Sequence, residues 1–148
     1  MVARLVVDTN VVVSALMKAD STPRHMLRVC LERRCQPLMG NALLAEHEDL
    51  LGRSALFEGC LLTTAERAAF LDDFLSVCEW ISVYYLWRPN LRDEADNHLL
   101  ELAVAGGAQS IVTGNVGDFR QATLLFPTIA IVTPRQFLDN LESPTWEH

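Results

Sequence analysis

Short apolar, β-branched runs alternate along the chain with longer stretches whose apolar residues recur at three- and four-residue spacing. Leu5-Val6-Val7 predicts a short buried strand over residues 5–8 that ends at Asp8. Residues 10–18 predict a helix, and Asp20-Ser21-Thr22-Pro23 a loop with a cap. Residues 23–34 predict a second helix with Met26, Leu27, Cys30 and Leu31 on its apolar face. A second strand is predicted over 36–39, closed by Gly40-Asn41, and a third helix over 42–51 with Leu43, Leu44, His47, Leu50 and Leu51 on one stripe. Thr63 or Thr64 caps a fourth helix, with Glu66 in its first turn and Phe70, Leu71, Phe74 and Leu75 as core. Residues 79–87 have strand composition (Trp80, Ile81, Val83, Tyr84, Tyr85) until Pro89-Asn90 breaks it. Asp93 opens a helix that stops at Gly106-Gly107. Strands over 111–113 and 129–132 follow, and Pro134 starts a last helix through 141.

Strands separated by helices predict an α/β fold, a mainly parallel sheet with helices on both faces. No repeat, linker or low-complexity tract interrupts the pattern, so residues 1–148 read as one domain. In such sheets the ligand site lies beyond the carboxyl ends of the strands. Asp8 and the 113–118 segment fall at such ends.

Composition narrows the classes. Half of the 148 residues are apolar and 21% are charged, as in a globular domain. No apolar stretch is long enough to span a membrane, and the first residues lack the basic-then-apolar design of a signal peptide, which predicts a cytoplasmic protein without membrane association. Cys30, Cys35, Cys60 and Cys78 form no CxxC pair and read as reduced thiols. The net charge of −7 argues against a general nucleic-acid coat. Of twelve basic residues only Lys18 is lysine. Arginine suits bidentate phosphate contacts, although a GC-rich genome gives the same bias and accounts for most of them.

Isolated carboxylates carry the candidate chemistry. Acids at the mouths of buried strands are costly unless paired, and a divalent cation is the simplest partner for several that meet at one sheet edge. Asp8 reads equally as a metal ligand, supported by Thr9 and Asn10, or as a helix cap. Glu46 and Glu48 flank opposite edges of the third helix's stripe, and periodicity does not choose between them. Asp93 is most simply an N-cap. Asp96 heads a stripe continued by Leu99, Leu100 and Ala103, and an acid there asks for a reason. Asn97 is either its neighbour in the site or a surface group. Thr113-Gly114-Asn115-Val116-Gly117-Asp118 is a strand end and a polar turn: Thr113 can bond a carboxylate or phosphate oxygen, Asn115 and Asp118 can ligate metal, and turn chemistry alone also explains them. His47 reads as core, while His25, His98 and His148 show no ligand spacing. A P-loop, GxGxxG, HExxH and Gly-x-Ser-x-Gly are all absent.

Together these residues resemble the PIN domain, and within it the VapC-type toxin ribonucleases of bacterial toxin–antitoxin pairs. The resemblance rests on Val6-Val7-Asp8-Thr9-Asn10-Val11, Leu43-Leu44-Ala45-Glu46, Asp93-Glu94-Ala95-Asp96-Asn97, Ile111-Val112-Thr113-Gly114-Asn115 with Asp118-Phe119, and Ile131-Val132-Thr133-Pro134-Arg135-Gln136-Phe137-Leu138. It spans nearly the whole chain. It implies a three-layer PIN-like fold and selects Glu46 over Glu48. It implies a Mg²⁺- or Mn²⁺-dependent endoribonuclease with Asp8, Glu46, Asp96 and Asp118 as catalytic metal ligands and Thr9, Asn10, Asp93, Thr113 and Asn115 as accessory groups. It further implies an RNA substrate, a small antitoxin partner and a homodimer. In one departure, many members carry Asp where this chain has Asn115, which removes one charge from the site. The alternative that follows is a catalytically weakened PIN domain that binds RNA or protein. A phosphoaspartate or receiver-like domain fits less well, because Asn10 stands where a second Asp is wanted. A small-molecule α/β module lacks its glycine loop.

Overall fold

The computed structural model describes residues 2–83, 94–119 and 126–142, with the side chains of 94–96 and 142 outside the description. Five parallel strands lie in the order β3-β2-β1-β4-β5. They are β1 (Arg4–Val7), β2 (Gln36–Met39), β3 (Glu79–Trp80), β4 (Ser110–Val112) and β5 (Ala130–Val132). The helices between them are α1 (Thr9–Met17), α2 (Thr22–Leu31), α3 (Asn41–Leu51), α4 (Thr64–Val77), α5 (Glu94–Gly106) and α6 (Pro134–Glu142), with 3-10 turns at Ser54–Phe57 and Val116–Phe119.

Successive side chains of a strand point to opposite faces. Leu5, Val6 and Val7 of β1 and Ser110, Ile111 and Val112 of β4 are all buried, so both faces of the central sheet are covered, as an all-parallel sheet requires. Helix α5 lies against β1, β2 and β4, α4 against β2, and α6 against β5. The stripe read from Asp96 onward is the buried one: Leu99, Leu100 and Ala103 have almost no exposure.

Local chemistry ends the elements where the residues predict. Thr63 and Glu66 close a reciprocal capping box on α4. Gly107, at φ +66°, ends α5. The Gly107 amide donates to the Val104 carbonyl (3.3 Å) and the Ala108 amide to the Ala103 carbonyl (2.8 Å), which is the Schellman arrangement.

Two expectations are corrected. The strand predicted over 79–87 pairs only at Glu79–Trp80, and Ile81–Val83 is not strand, although the Ile81 amide still donates to the Met39 carbonyl at 2.8 Å. Residues 84–87 lie outside the description. Among the described residues β3 is the edge strand of the sheet, and Trp80 and Val83 are exposed. In the third helix only Leu43 and His47 of the predicted stripe are fully buried, while Leu44, Leu50 and Leu51 are half-buried. No helix among the described residues is long and apolar enough to cross a membrane.

Replacing Gly107 with alanine forces a side chain into the left-handed region. The expected cost is about 1–2 kcal/mol of unfolding free energy, read as a lowered urea midpoint with an unchanged slope.

Candidate active site

The strand order sets the site. From β1 the chain steps to β2 and β3 on one side, then returns to β4 and β5 on the other, so the order reverses between β1 and β4, where α/β sheets open a crevice. Val7 is in register with Val112. The next residues, Asp8 and Thr113, therefore stand side by side at the two carboxyl ends. The Asp8 amide donates to the Val112 carbonyl at 2.9 Å, and the Thr113 amide to the Val132 carbonyl at 2.9 Å, so both residues sit on the last rungs of the ladder.

Asp8 occupies the N-cap position of α1, yet its carboxylate closes no capping hydrogen bond. Its Oδ2 instead accepts from Thr113 Oγ1 (2.8 Å) and from Asn10 Nδ2 (3.2 Å). Asn10 Oδ1 accepts from the Gly114 amide (3.2 Å), and Thr113 Oγ1 from the Asn115 amide (3.1 Å). Thr113 and Asn10 thus tie the start of α1 to the turn after β4 and orient one carboxylate between them. Only 8% of Asp8 is exposed. Burial raises its pKa above the ordinary carboxylate value, the Thr113 bond opposes the rise, and the negative charge of Glu46 adds to it.

That repulsion brings Glu46 into the site. It is half-buried on α3, while Glu48 is exposed. Its Oε2 lies 2.8 Å from His98 Nε2 on α5. The His98 bond holds the Glu46 carboxyl below its usual range against the opposing effect of burial, and Thr9 contributes a further hydrogen bond. Thr9 Oγ1 also lies 2.7 Å from Nδ1 of the fully buried His47. Burial lowers the pKa of His47 to about 4, so the ring is neutral at pH 7.

The remaining candidates are placed as follows. Asp96 lies in the first turn of α5, two residues before His98, and its side chain is outside the description. Asp93 lies outside it altogether. Asn97 is buried, which removes the surface reading. Asn115 and Asp118 are exposed on the turn after β4, with the Asp118 amide on the Asn115 carbonyl (3.0 Å). Sequence reasoning missed His98. Its bond to Glu46 spans 52 positions, and no local spacing announces such a contact.

The donors gathered here are hard carboxylate, hydroxyl and amide oxygens, the set that Mg²⁺ and Mn²⁺ prefer. Two carboxylates that repel one another, one of them nearly buried, fit a shared divalent cation. Among the described residues no group of three or more His, Cys, Asp or Glu is gathered to hold an ion, and the Asp96 side chain is not among those residues.

A parallel α/β domain with carboxylates converging at its switch point is thereby defined. A family model described as the PIN domain matches residues 4–117, and the chain belongs to the PIN domain family. Its fold is also similar to a chain in the crystal structure of VapBC2 from Rickettsia felis bound to a DNA fragment from their promoter. The TM-score is 0.58 at 20% identity, covering 86% of this chain and 96% of that one. No curated protein matches the chain.

Two stability measurements follow from the charges. The raised pKa of Asp8 means that the folded protein holds its proton more tightly than the unfolded chain does. That contribution is complete below about pH 4 and is lost as pH rises through the raised value. Asp8→Asn is therefore expected to melt at a higher temperature than wild type in EDTA at pH 7. For His47 the sign is reversed. Between pH 6.5 and about 4 the unfolded chain binds a proton that the folded ring refuses, so stability falls on acidification through that window, by on the order of 3 kcal/mol in full. Urea titrations at several pH values should show this limb flattened in His47→Gln.

Proposed function

We propose that this chain is a divalent-metal-dependent endoribonuclease, the toxin of a toxin–antitoxin pair. The observation that carries the reading is the nearly buried Asp8 at the β1/β4 switch point, held by Thr113 and Asn10 with the charge of Glu46 acting on it. The family supports nuclease chemistry, and the likeness to a chain of a VapBC complex supports the toxin setting. Asp8, Glu46 and Asp96 are the ligands that would hold Mg²⁺ or Mn²⁺, with Asp118 and Asn115 at the rim and Asp93 as an accessory.

A bound divalent cation supplies the Lewis acidity that phosphodiester hydrolysis needs. The chain's own residues prepare for it. Thr113 and Asn10 fix the orientation of Asp8. His98 holds Glu46 in place and favours its ionised form. His47 stays neutral beneath them and adds no positive charge to compete with a cation. The partners proposed are RNA, a small antitoxin that offers an arginine to the carboxylates, and a second copy of the chain. The proposed setting is the cytoplasm.

The test is cleavage of labelled single-stranded and structured RNA with Mn²⁺ or with EDTA. Cleavage is expected only with metal. Asp8→Asn is expected to lose more than the roughly 10–100-fold that removal of a supporting residue costs, while keeping its far-UV circular dichroism. Binding of RNA without cleavage by the wild-type chain would instead favour a weakened PIN domain, with Asn115 as the first position to restore to Asp. Full activity in Asp8→Asn would remove the mechanism.

A further inference from the structure

Asp8 is held by groups at a neighbouring strand end, but Glu46 reaches the crevice from the flank of a helix. Repulsion from Asp8 favours swinging such a side chain out to water. The restraint comes from α5, where His98 Nε2 meets Glu46 Oε2 at 2.8 Å. Because an ionised carboxylate only accepts, the proton of this bond resides on Nε2. Both side chains are mostly shielded, with 19% of His98 and 25% of Glu46 exposed, so the bond is far less screened than a surface pair. His98 Nδ1 is buried and has no partner among the described residues. A residue that served packing alone would not carry that cost, and the next two positions, Leu99 and Leu100, meet the core with leucine. A mostly shielded imidazole whose one proton-bearing contact among the described residues is made to a candidate ligand is explained by what it does to that ligand.

We propose that His98 is a positioning residue of the cation site, whose Nε2–H pins Glu46 in the orientation that shares a divalent ion with Asp8. The proposal rests on the metal-dependent reading above and adds a residue to it. Helix α5 would then serve the site twice, through Asp96 in its first turn and through His98 just behind it.

The experiment is Mn²⁺ titration of the full chain, with free Mn²⁺ followed by electron paramagnetic resonance. Wild type is compared with His98→Ala, His98→Leu, His98→Gln, Glu46→Gln and Asp8→Asn, each checked by circular dichroism and by melting in EDTA. His98→Ala and His98→Leu are expected to weaken Mn²⁺ binding about 10–100-fold. His98→Gln, which offers an amide N–H to the same oxygen, should recover most of the loss. Leucine fills the space without a donor, so it separates the hydrogen bond from packing even if the alanine variant does not fold. Unchanged affinity in His98→Leu beside a clear loss in Glu46→Gln would overturn the role of His98 and leave the metal site standing. Tighter binding in His98→Leu would also overturn it, by showing that the ring competes with the cation. If neither Glu46→Gln nor Asp8→Asn weakens Mn²⁺ binding, the metal reading itself fails and the proposal falls with it.

Discussion

Asp8 is a carboxylate nearly buried at the end of the central strand, with the negative charge of Glu46 acting on it, and the surrounding structure answers that cost. A carboxylate with 8% exposure loses most of its hydration, and a second anion nearby raises the cost of ionising it. Thr113 and Asn10 return part of the lost hydration to Asp8 through Oδ2. His98 does the same for Glu46. These bonds hold the two groups where they are, yet burial first and the charge of Glu46 after it keep the pKa of Asp8 raised. On the proposed function, a small divalent ion would supply positive charge at this point without needing volume.

The arrangement depends on register more than on any single bond. Because Val7 pairs with Val112, Thr113 falls beside Asp8. A slip of one residue would turn the threonine to the other face and leave the carboxylate unsupported. The buried, β-branched residues of β1 and β4 that read as ordinary core are therefore also what aligns the site. The same logic places α3. It leaves the end of β2, the neighbour of β1, at Gly40, and within two turns brings Glu46 back across the top of the sheet.

Much of this was legible in the chain. The strand over 36–39, the Gly106-Gly107 stop, the Thr63 cap and the buried stripe of α5 were all readable, because each is decided by residues within one or two turns of one another. The position of Asp8 at a strand end was readable for the same reason. What it does there was not, since cap and ligand look alike locally, and the difference lies in a hydrogen bond from Thr113, 105 residues away. The half-burial of Glu46 against the exposure of Glu48 and the contact with His98 belong to this second kind. Each is set by which helix passes over which strand end, information held in topology and not in spacing. Trp80 illustrates the opposite failure: an apolar residue speaks for burial, but among the described residues its two-residue strand stands at the edge of the sheet.

Charge sets a last constraint on any polyanionic substrate. The chain carries −7 overall, and several arginines are already engaged by the protein itself. Arg4 bonds Glu79 and the Gly106 carbonyl, and Arg24 bonds the Ala15 carbonyl beside the Phe70 ring. Arg67 bonds the Leu62 carbonyl above the ring of Phe57, and Arg53 pairs with Asp49. These cations stiffen the fold and are not held in reserve for phosphate. On the proposed function, bound metal would add attraction for RNA at the acidic crevice itself. Without metal that crevice repels phosphate, and with it the sign of the local field is reversed. Substrate affinity, and not turnover alone, should then depend on the cation. This follows from where the charges lie, whatever the sequence of the RNA.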